Sequence, residues 1–460
     1  MRSPISKTTS HRLIHMLLTI IFTKHYLDLK ASEKSTSILL RKAALKRRTK
    51  TRYKWSHINL RISDNHFRQM FRMTRKCFEL LSQTIINNIG ANNIKSEEYI
   101  DLFLDNEFCP LGNRSHIMYR AHCHTCGGYI SGEIKLAVAL RLLAGGDALD
   151  LSVIFDIGHR WCKQILYDVL EHWIVVPNLG GMDIEKYLSN DQELERVSTG
   201  FSKRSNGLLT GAIGAIDGWL VKIQRPNFLL DGCKNIVGFF SRKGFYALNV
   251  QCLVDHKKKV LWASYDNRGS SHDSTCFRDT QFYKLLKYKA VSLSANRHFI
   301  LGDSAYAIES FIIPPYDLAG KQTADDDFNF YHSSARITVE CVFGETDLRW
   351  GIFWKRLTNS LANNILICEG AMHLHNFLLD YRNNFTNSET EDSLERSIFN
   401  DDLRDNAIVS SVIGNDNNRG EGGRPTFEEK ESRLNDIKLR NDLRNLLRSN
   451  DMHRPRNDDK

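Results

Sequence analysis

Gly211-Ala-Ile-Gly-Ala-Ile-Asp-Gly218 is a run of small and apolar residues that ends in a carboxylate and a glycine. A short apolar run without polar alternation reads as a buried strand. A second such run, Phe299-Ile-Leu-Gly302, leads directly into Asp303-Ser-Ala-Tyr306. A third acid, Glu340, lies in Ala335-Arg-Ile-Thr-Val-Glu-Cys-Val-Phe-Gly344, which reads as helix. Two carboxylates at the ends of buried strands, joined by one from a later helix, would form an acidic pocket. Hard oxygen ligands of this kind suit Mg²⁺ or Mn²⁺, which bind through a few carboxylates and keep sites for water and phosphate. Such a pocket fits cleavage or transfer of phosphodiesters.

Working outward, Ala212–Ile216 and Leu220–Ile223 predict a first strand or bent strand pair. Phe245–Val254 and Lys259–Tyr265 predict two more antiparallel strands around the turn Asp255-His-Lys-Lys258. A helix is expected over about 274–288, a strand over His298–Leu301, and the helix carrying Glu340 after Pro314-Pro315. The β-β-β-α-β-α order predicts an α/β fold: a ribonuclease H-like mixed sheet flanked by helices, over residues 205–382. Ahead of it, 65–180 reads as an all-α, helix-turn-helix-like region. His66–Ile89 carries one apolar helical face, Ser131 is placed to cap a helix, and Leu149–Phe155 and His159–Trp173 flank the turn Asp156-Ile-Gly158. In the second of these helices Arg160 and Lys163 fall off the apolar face. They read either as DNA contacts of a recognition helix or as the solvated side of a helical bundle.

The 460 residues are 42% hydrophobic and carry a net charge of +9, which favours an anionic partner. Eight Lys or Arg fall between 41 and 54 without an acid. Residues 1–64 therefore read as a basic, largely disordered arm, suited to nuclear import or phosphate binding. The apolar stretch 13–22 is too short to span a bilayer, and no membrane association is expected. Ten scattered cysteines show no disulfide framework and fit a reducing compartment. Cys123 and Cys126, with Cys109 upstream, have zinc-like spacing but lack a second ligand pair. The polar stretch 383–460 reads as a mostly disordered or partner-binding tail with one helix at Glu428–Leu447.

Several further motifs occur in a fixed order: Gly214-Ala-Ile-Asp-Gly218, Ser241-Arg-Lys-Gly-Phe-Tyr-Ala-Leu-Asn-Val-Gln251 with Asp255, and Gly269-Ser-Ser-His-Asp273. Leu301-Gly-Asp-Ser-Ala-Tyr306, Pro314-Pro-Tyr316, Arg336 through Glu340 with Phe343-Gly344, and Leu374-His-Asn-Phe-Leu378 follow. Together they resemble the DDE endonuclease domain of PIF/Harbinger transposases and the Harbinger transposase-derived nuclease. The resemblance implies a metal-dependent DNA endonuclease or transposase working by a two-metal mechanism on double-stranded DNA in the nucleus. Asp217, Asp303 and Glu340 would be the catalytic and metal-binding triad. A Myb-like DNA-binding partner is a family expectation, and the oligomeric state is left open.

Asp273 matches a family element and reads either as an auxiliary metal group or as a helix cap. Arg242 and Lys243 read as DNA contacts or as exposed strand-end charges, and Arg349 matches a family position taken as a DNA contact. Two positions depart from the pattern. Asp347 stands where many members have lysine, and Ala307 where proline is frequent. Asp347 opens an alternative reading, a domesticated binding factor that keeps the fold without cutting. A ribonuclease H acting on RNA–DNA hybrids is a third reading, disfavoured by the elements around Lys243 and Asp273.

Overall fold

The computed structural model describes residues 54–91, 130–176, 180–227, 231, 234–317, 323–385, 427–450 and 452–454. The basic block at 41–54 apart from Lys54, the apolar stretch at 13–22 and the candidate zinc cysteines 109, 123 and 126 lie outside them.

A five-stranded sheet in the order β3-β2-β1-β4-β5 forms the centre of the fold. Its strands are β1 (Ala212–Lys222), β2 (Ala247–Val254), β3 (Val260–Arg268), β4 (Phe299–Leu301) and β5 (Ile312–Ile313). β1 pairs antiparallel with β2 and parallel with β4, so the chain must cross over between β3 and β4. The helices Asp273–Arg278 (α9) and Gln281–Ala295 (α10) make that crossover. The result is the ribonuclease H-like mixed sheet expected from the sequence, with three differences of detail.

The first strand is one continuous element rather than a bent pair, so Asp217 sits mid-strand opposite Cys252. The apolar run stops at Asp217, but Trp219, Leu220 and Val221 keep the extended pairing with β2. The single helix expected over 274–288 is two helices, broken at Asp279-Thr280, where Thr280 caps the second through the Tyr283 N–H. β5 is too short to give a sequence signal of its own, and Ile312 and Ile313 are held there by pairing with Ile300 and Leu301.

N-terminal to the sheet run the helices Trp55–Arg61 (α1), Asp64–Phe71 (α2), Arg75–Ala91 (α3), Gly132–Leu143 (α4), Ala148–Ile154 (α5), His159–Val175 (α6), Ile184–Tyr187 (α7) and Asp191–Arg204 (α8). The helix expected at His66–Ile89 is interrupted at Arg72, whose φ of 58° closes α2 in the left-handed region. The helix-turn-helix pair is present as α5 and α6, with Asp147 capping α5 through the Leu149 N–H. α6 buries Cys162, Ile165, Leu166, Val169, Leu170 and Trp173 against its neighbours.

Three long helices complete the fold: Ala324–Arg349 (α11), Leu361–Phe385 (α12) and Phe427–Ser449 (α13). α12 packs on both α6 and β3, which ties the helical region to the sheet. Gly370 permits the crossing, since a Cβ there would fall 2.4 Å from Leu170 Cδ2. α13 confirms the helix expected in the polar tail, and it is docked rather than free. Leu443 and Leu447 are buried, Arg440 lies 4.1 Å over the Tyr316 ring, and Arg444 pairs with Asp325 on α11. A helix of such polar composition is held by these few contacts, which composition alone could not reveal. No helix among the described residues is long and apolar enough to cross a membrane.

Candidate active site

β1 and α11 bring Asp217 and Glu340 together through an arginine, and the β4 exit sets Asp303 near enough to act on the charge of Asp217 and of that arginine. Arg336 donates from Nη1 to Asp217 Oδ2 at 2.7 Å and from Nη2 to Glu340 Oε1. Arg336 and Glu340 are four residues apart, so they share one face of α11. That face is the one turned to Asp217. Arg336 and Asp217 are largely withdrawn from water, whereas the Glu340 side chain keeps 48% of its surface. Glu340 is therefore the solvent-facing member of the group.

Asp217 also accepts from the Gly218 N–H at 2.8 Å, and Asp303 accepts from the Ala305 N–H at 2.9 Å. Burial pushes the Asp217 carboxyl up to about 7. Arg336 works against that rise, and Asp303 and Asp273 add to it. Asp303 is raised in the same way, first by burial and then by Asp273, with Arg336 and Arg242 opposing. Burial alone would pull the Arg336 pKa down, but Asp217, Glu340 and Asp303 together hold it above its usual value. Mutual repulsion of carboxylates in a poorly solvated site is the arrangement that a cation relieves.

Asp273 is not the cap of α9. His272 holds that position, and Asp273 opens the helix. Its Oδ1 accepts from Asn249 Nδ2 at 2.8 Å and from Gln251 Nε2 at 2.9 Å. Gln251 in turn accepts from the buried Tyr306 hydroxyl. Gly218 is required here, because a Cβ would meet Asp273 Oδ1 at 2.2 Å and Gln251 Nε2 at 2.6 Å. The glycine beside Asp217 thus makes room for a second acid anchored by two amides.

The basic residues divide. Arg242 and Lys243 are exposed in the turn closed by Ser241 and Phe245, and Arg242 is near enough to Asp303 to oppose its pKa rise. Arg160 and Lys163 are exposed on α6, off its buried face. Arg349 is a correction. It is buried, and its Nη1 donates to the Arg72 carbonyl at 2.9 Å, so it joins the end of α11 to the helical region and does not face a ligand. The matching sequence position could not distinguish an inward from an outward arginine. Asp347 is half-buried beside Trp219 and Lys222, and the loss of water there pushes its carboxyl up to about 7.

Arg336, Asn249, Gln251 and Tyr306 are site residues that a search for acids overlooks. Their signals are present in the chain: the four-residue spacing of Arg336 and Glu340, and two amides alternating on an otherwise apolar strand, opposite Leu220 and Gly218.

The donor chemistry of Asp217, Asp303 and Glu340 fits a hard divalent cation. In the arrangement seen, no three His, Cys, Asp or Glu side chains among the described residues converge on a common ion position. Arg336 already satisfies an oxygen of Asp217 and one of Glu340.

Comparison with known proteins points the same way as the residues. Residues 216–376 match the family model described as DDE superfamily endonuclease. Protein ALP1-like of Arabidopsis thaliana is 27% identical over 276 residues, covering 55% of this chain and 62% of that relative. The chain therefore spans less than two thirds of the relative's length. No solved structure matches the chain.

Proposed function

Because residues 216–376 match the DDE superfamily endonuclease model, we propose that the protein is a divalent-metal-dependent DNA endonuclease of the Harbinger type. The observation that carries this reading is the Arg336-bridged pair Asp217 and Glu340, with Asp303 at the end of the strand beside Asp217 and raised in pKa by burial and by Asp273. Asp217, Asp303 and Glu340 would hold Mg²⁺ or Mn²⁺. Bound ions would lower the pKa of an attacking water and offset charge on the leaving oxygen.

The chain's own residues do the rest. Asn249 and Gln251 fix Asp273 behind Gly218, which adds negative potential at the site while that carboxylate oxygen stays engaged by amides. Arg336 balances charge between Asp217 and Glu340 when they are not otherwise engaged, and so competes with a cation for both. Arg242, near enough to Asp303 to act on its charge, would meet a phosphate of the scissile strand. On this reading the protein works in the nucleus on double-stranded DNA, with a Myb-like protein as the source of sequence specificity.

Supercoiled-plasmid cleavage with Mg²⁺, Mn²⁺ or EDTA, comparing wild type with Asp303→Asn, tests the proposal. Metal-dependent nicking lost in the variant supports it. A second reading, a DNA binder that no longer cuts, draws on the acid at 347, where many members of the resembled family have lysine. It is favoured if neither protein nicks while both retain salt-sensitive DNA binding.

A further inference from the structure

On the same side of the sheet as α11 lies a second feature that the acidic site does not use. One face of α8 along its length, the β2–β3 turn and the C-terminal ends of α11 and α12 line a cleft of about 890 Å³. Six Lys or Arg side chains and His256 line it, against two glutamates. Among the described residues its one aliphatic wall is Leu379, and no aromatic carbocycle faces it. A wall of cations without a stacking surface selects phosphate over base.

The cleft is built rather than incidental. Asp255 accepts from the Lys257 and Lys259 N–H groups at 2.7 and 2.8 Å, which folds the turn and puts Lys258 at φ 71°. Arg196 spans from Glu193 to Asp255 and pins α8 to that turn. The His256 ring lies against Gly200, where a Cβ would come within 2.1 Å of it. Within the lysine run, Lys258 pairs with Glu345 and Lys259 with Asp380, while Lys257 projects exposed. Arg204 spends its Nε on the His256 carbonyl, which leaves its terminal nitrogens toward the cleft, and Lys203 beside it is exposed. Arg196 and Lys258 are thus scaffold, and Lys203, Arg204 and Lys257 are the cations available to a ligand.

Position identifies the ligand. Glu345 on the rim follows Glu340 by five residues of α11, an axial rise of about 7.5 Å with a net turn of about 140° round the helix. Asp255, which folds the lysine turn beside the cleft, follows Cys252, the partner of Asp217, by three residues, about 10 Å along the strand direction. At about 3.4 Å of rise per base step along one strand, that separation is two to three steps. We propose that this cleft is a second DNA-contact site, taking consecutive backbone phosphates of the duplex beside the segment presented to Asp217, Asp303 and Glu340. The inference rests on the nuclease reading for the identity of the polyanion.

The test uses the full chain and a triple variant, Lys203→Glu, Arg204→Glu and Lys257→Glu, all at exposed positions. Affinity for a fluorescent duplex is measured in EDTA over a salt series. The expected result is a loss of about tenfold or more in affinity and a log–log salt slope shallower by about 2 to 3, at roughly 0.9 for each phosphate no longer neutralised. An unchanged affinity and slope overturns the proposal. So does a cleft that takes only a small polyanion: tripolyphosphate binding abolished by the triple substitution while duplex affinity is unchanged. If the triple variant melts differently from wild type, Lys203→Gln with Lys257→Gln replaces it, and a proportionate loss of slope is required. Plasmid nicking by the wild type is scored separately. Nicking with an intact slope in the variant sinks the cleft and leaves the nuclease, whereas a lost slope without wild-type nicking sinks the nuclease and leaves the cleft.

Discussion

Replacing Asp347 by Asn changes one proton's binding site and little else, since the amide oxygen can still accept from Trp219. Burial raises this carboxyl to about 7 from its ordinary 3.8, with Trp219 and Lys222 opposing. A carboxyl whose folded pKa lies above its unfolded value favours folding most at pH below the unfolded value. That contribution is lost as pH rises through the folded value. The rise from 3.8 to about 7 is worth roughly 4 kcal/mol in total, at about 1.36 kcal/mol per pH unit. Of this, about 3 kcal/mol falls between pH 5 and pH 8, because the folded group stops losing ground near 7. Urea denaturation of wild type and Asp347→Asn at the two pH values reads the effect as a difference of differences. The variant should be more stable than wild type at pH 8, with the advantage shrinking by about 2–3 kcal/mol at pH 5. Other titrating groups, Asp217 included, are common to both proteins and cancel. An advantage that is absent at pH 8, or equal at both pH values, would refute the claim that Asp347 sits as a poorly solvated acid.

Arg336→Met leaves Asp217 and Glu340 uncompensated. Stability should fall by about 3 kcal/mol at pH 8, as expected for removing one partner of a buried pair. The loss should be smaller at pH 5, where Asp217 is protonated, and denaturation at both pH values checks it. Gly218→Ala forces a methyl into the Asp273 carboxylate, so it should cost about 1–3 kcal/mol and abolish nicking, read by melting and plasmid cleavage. Tyr316→Ala removes the ring beneath Arg440 and Arg444 and should free α13, seen as faster proteolysis within that helix while the sheet domain stays intact.

The sheet was legible because its strands announce themselves by composition. Gly211–Ile216 and Phe299–Leu301 are apolar without relief, and the turn at Asp255–Lys258 separates two strand-like runs. What the sequence hides depends on tertiary context. Ile312 and Ile313 are a strand only because Ile300 and Leu301 stand beside them. Arg349 looks like any surface cation until the Arg72 carbonyl is placed opposite it. In the site, each acid was visible from its neighbours in sequence, whereas the arginine joining two of them shows only as a cation four residues before Glu340, a spacing common on any helix surface. The Asn249–Gln251–Tyr306 network assembles from separate stretches of chain, and no single stretch discloses it.

The 26 residues of α11 carry Arg336 and Glu340 at the acidic site, Glu345 at the basic cleft and Arg349 at the helical region. Each of these must point in its own direction at the same time. One residue added or removed between Glu340 and Arg349 would turn everything beyond it by about 100°, taking Arg349 off the Arg72 carbonyl or Glu340 off Arg336. The stretch between them, 341–348, therefore acts as a spacer of fixed phase. Its length is locked by three unrelated attachments, and its buried Val342, Phe343 and Thr346, with Glu345 paired to Lys258, hold the same phase from within.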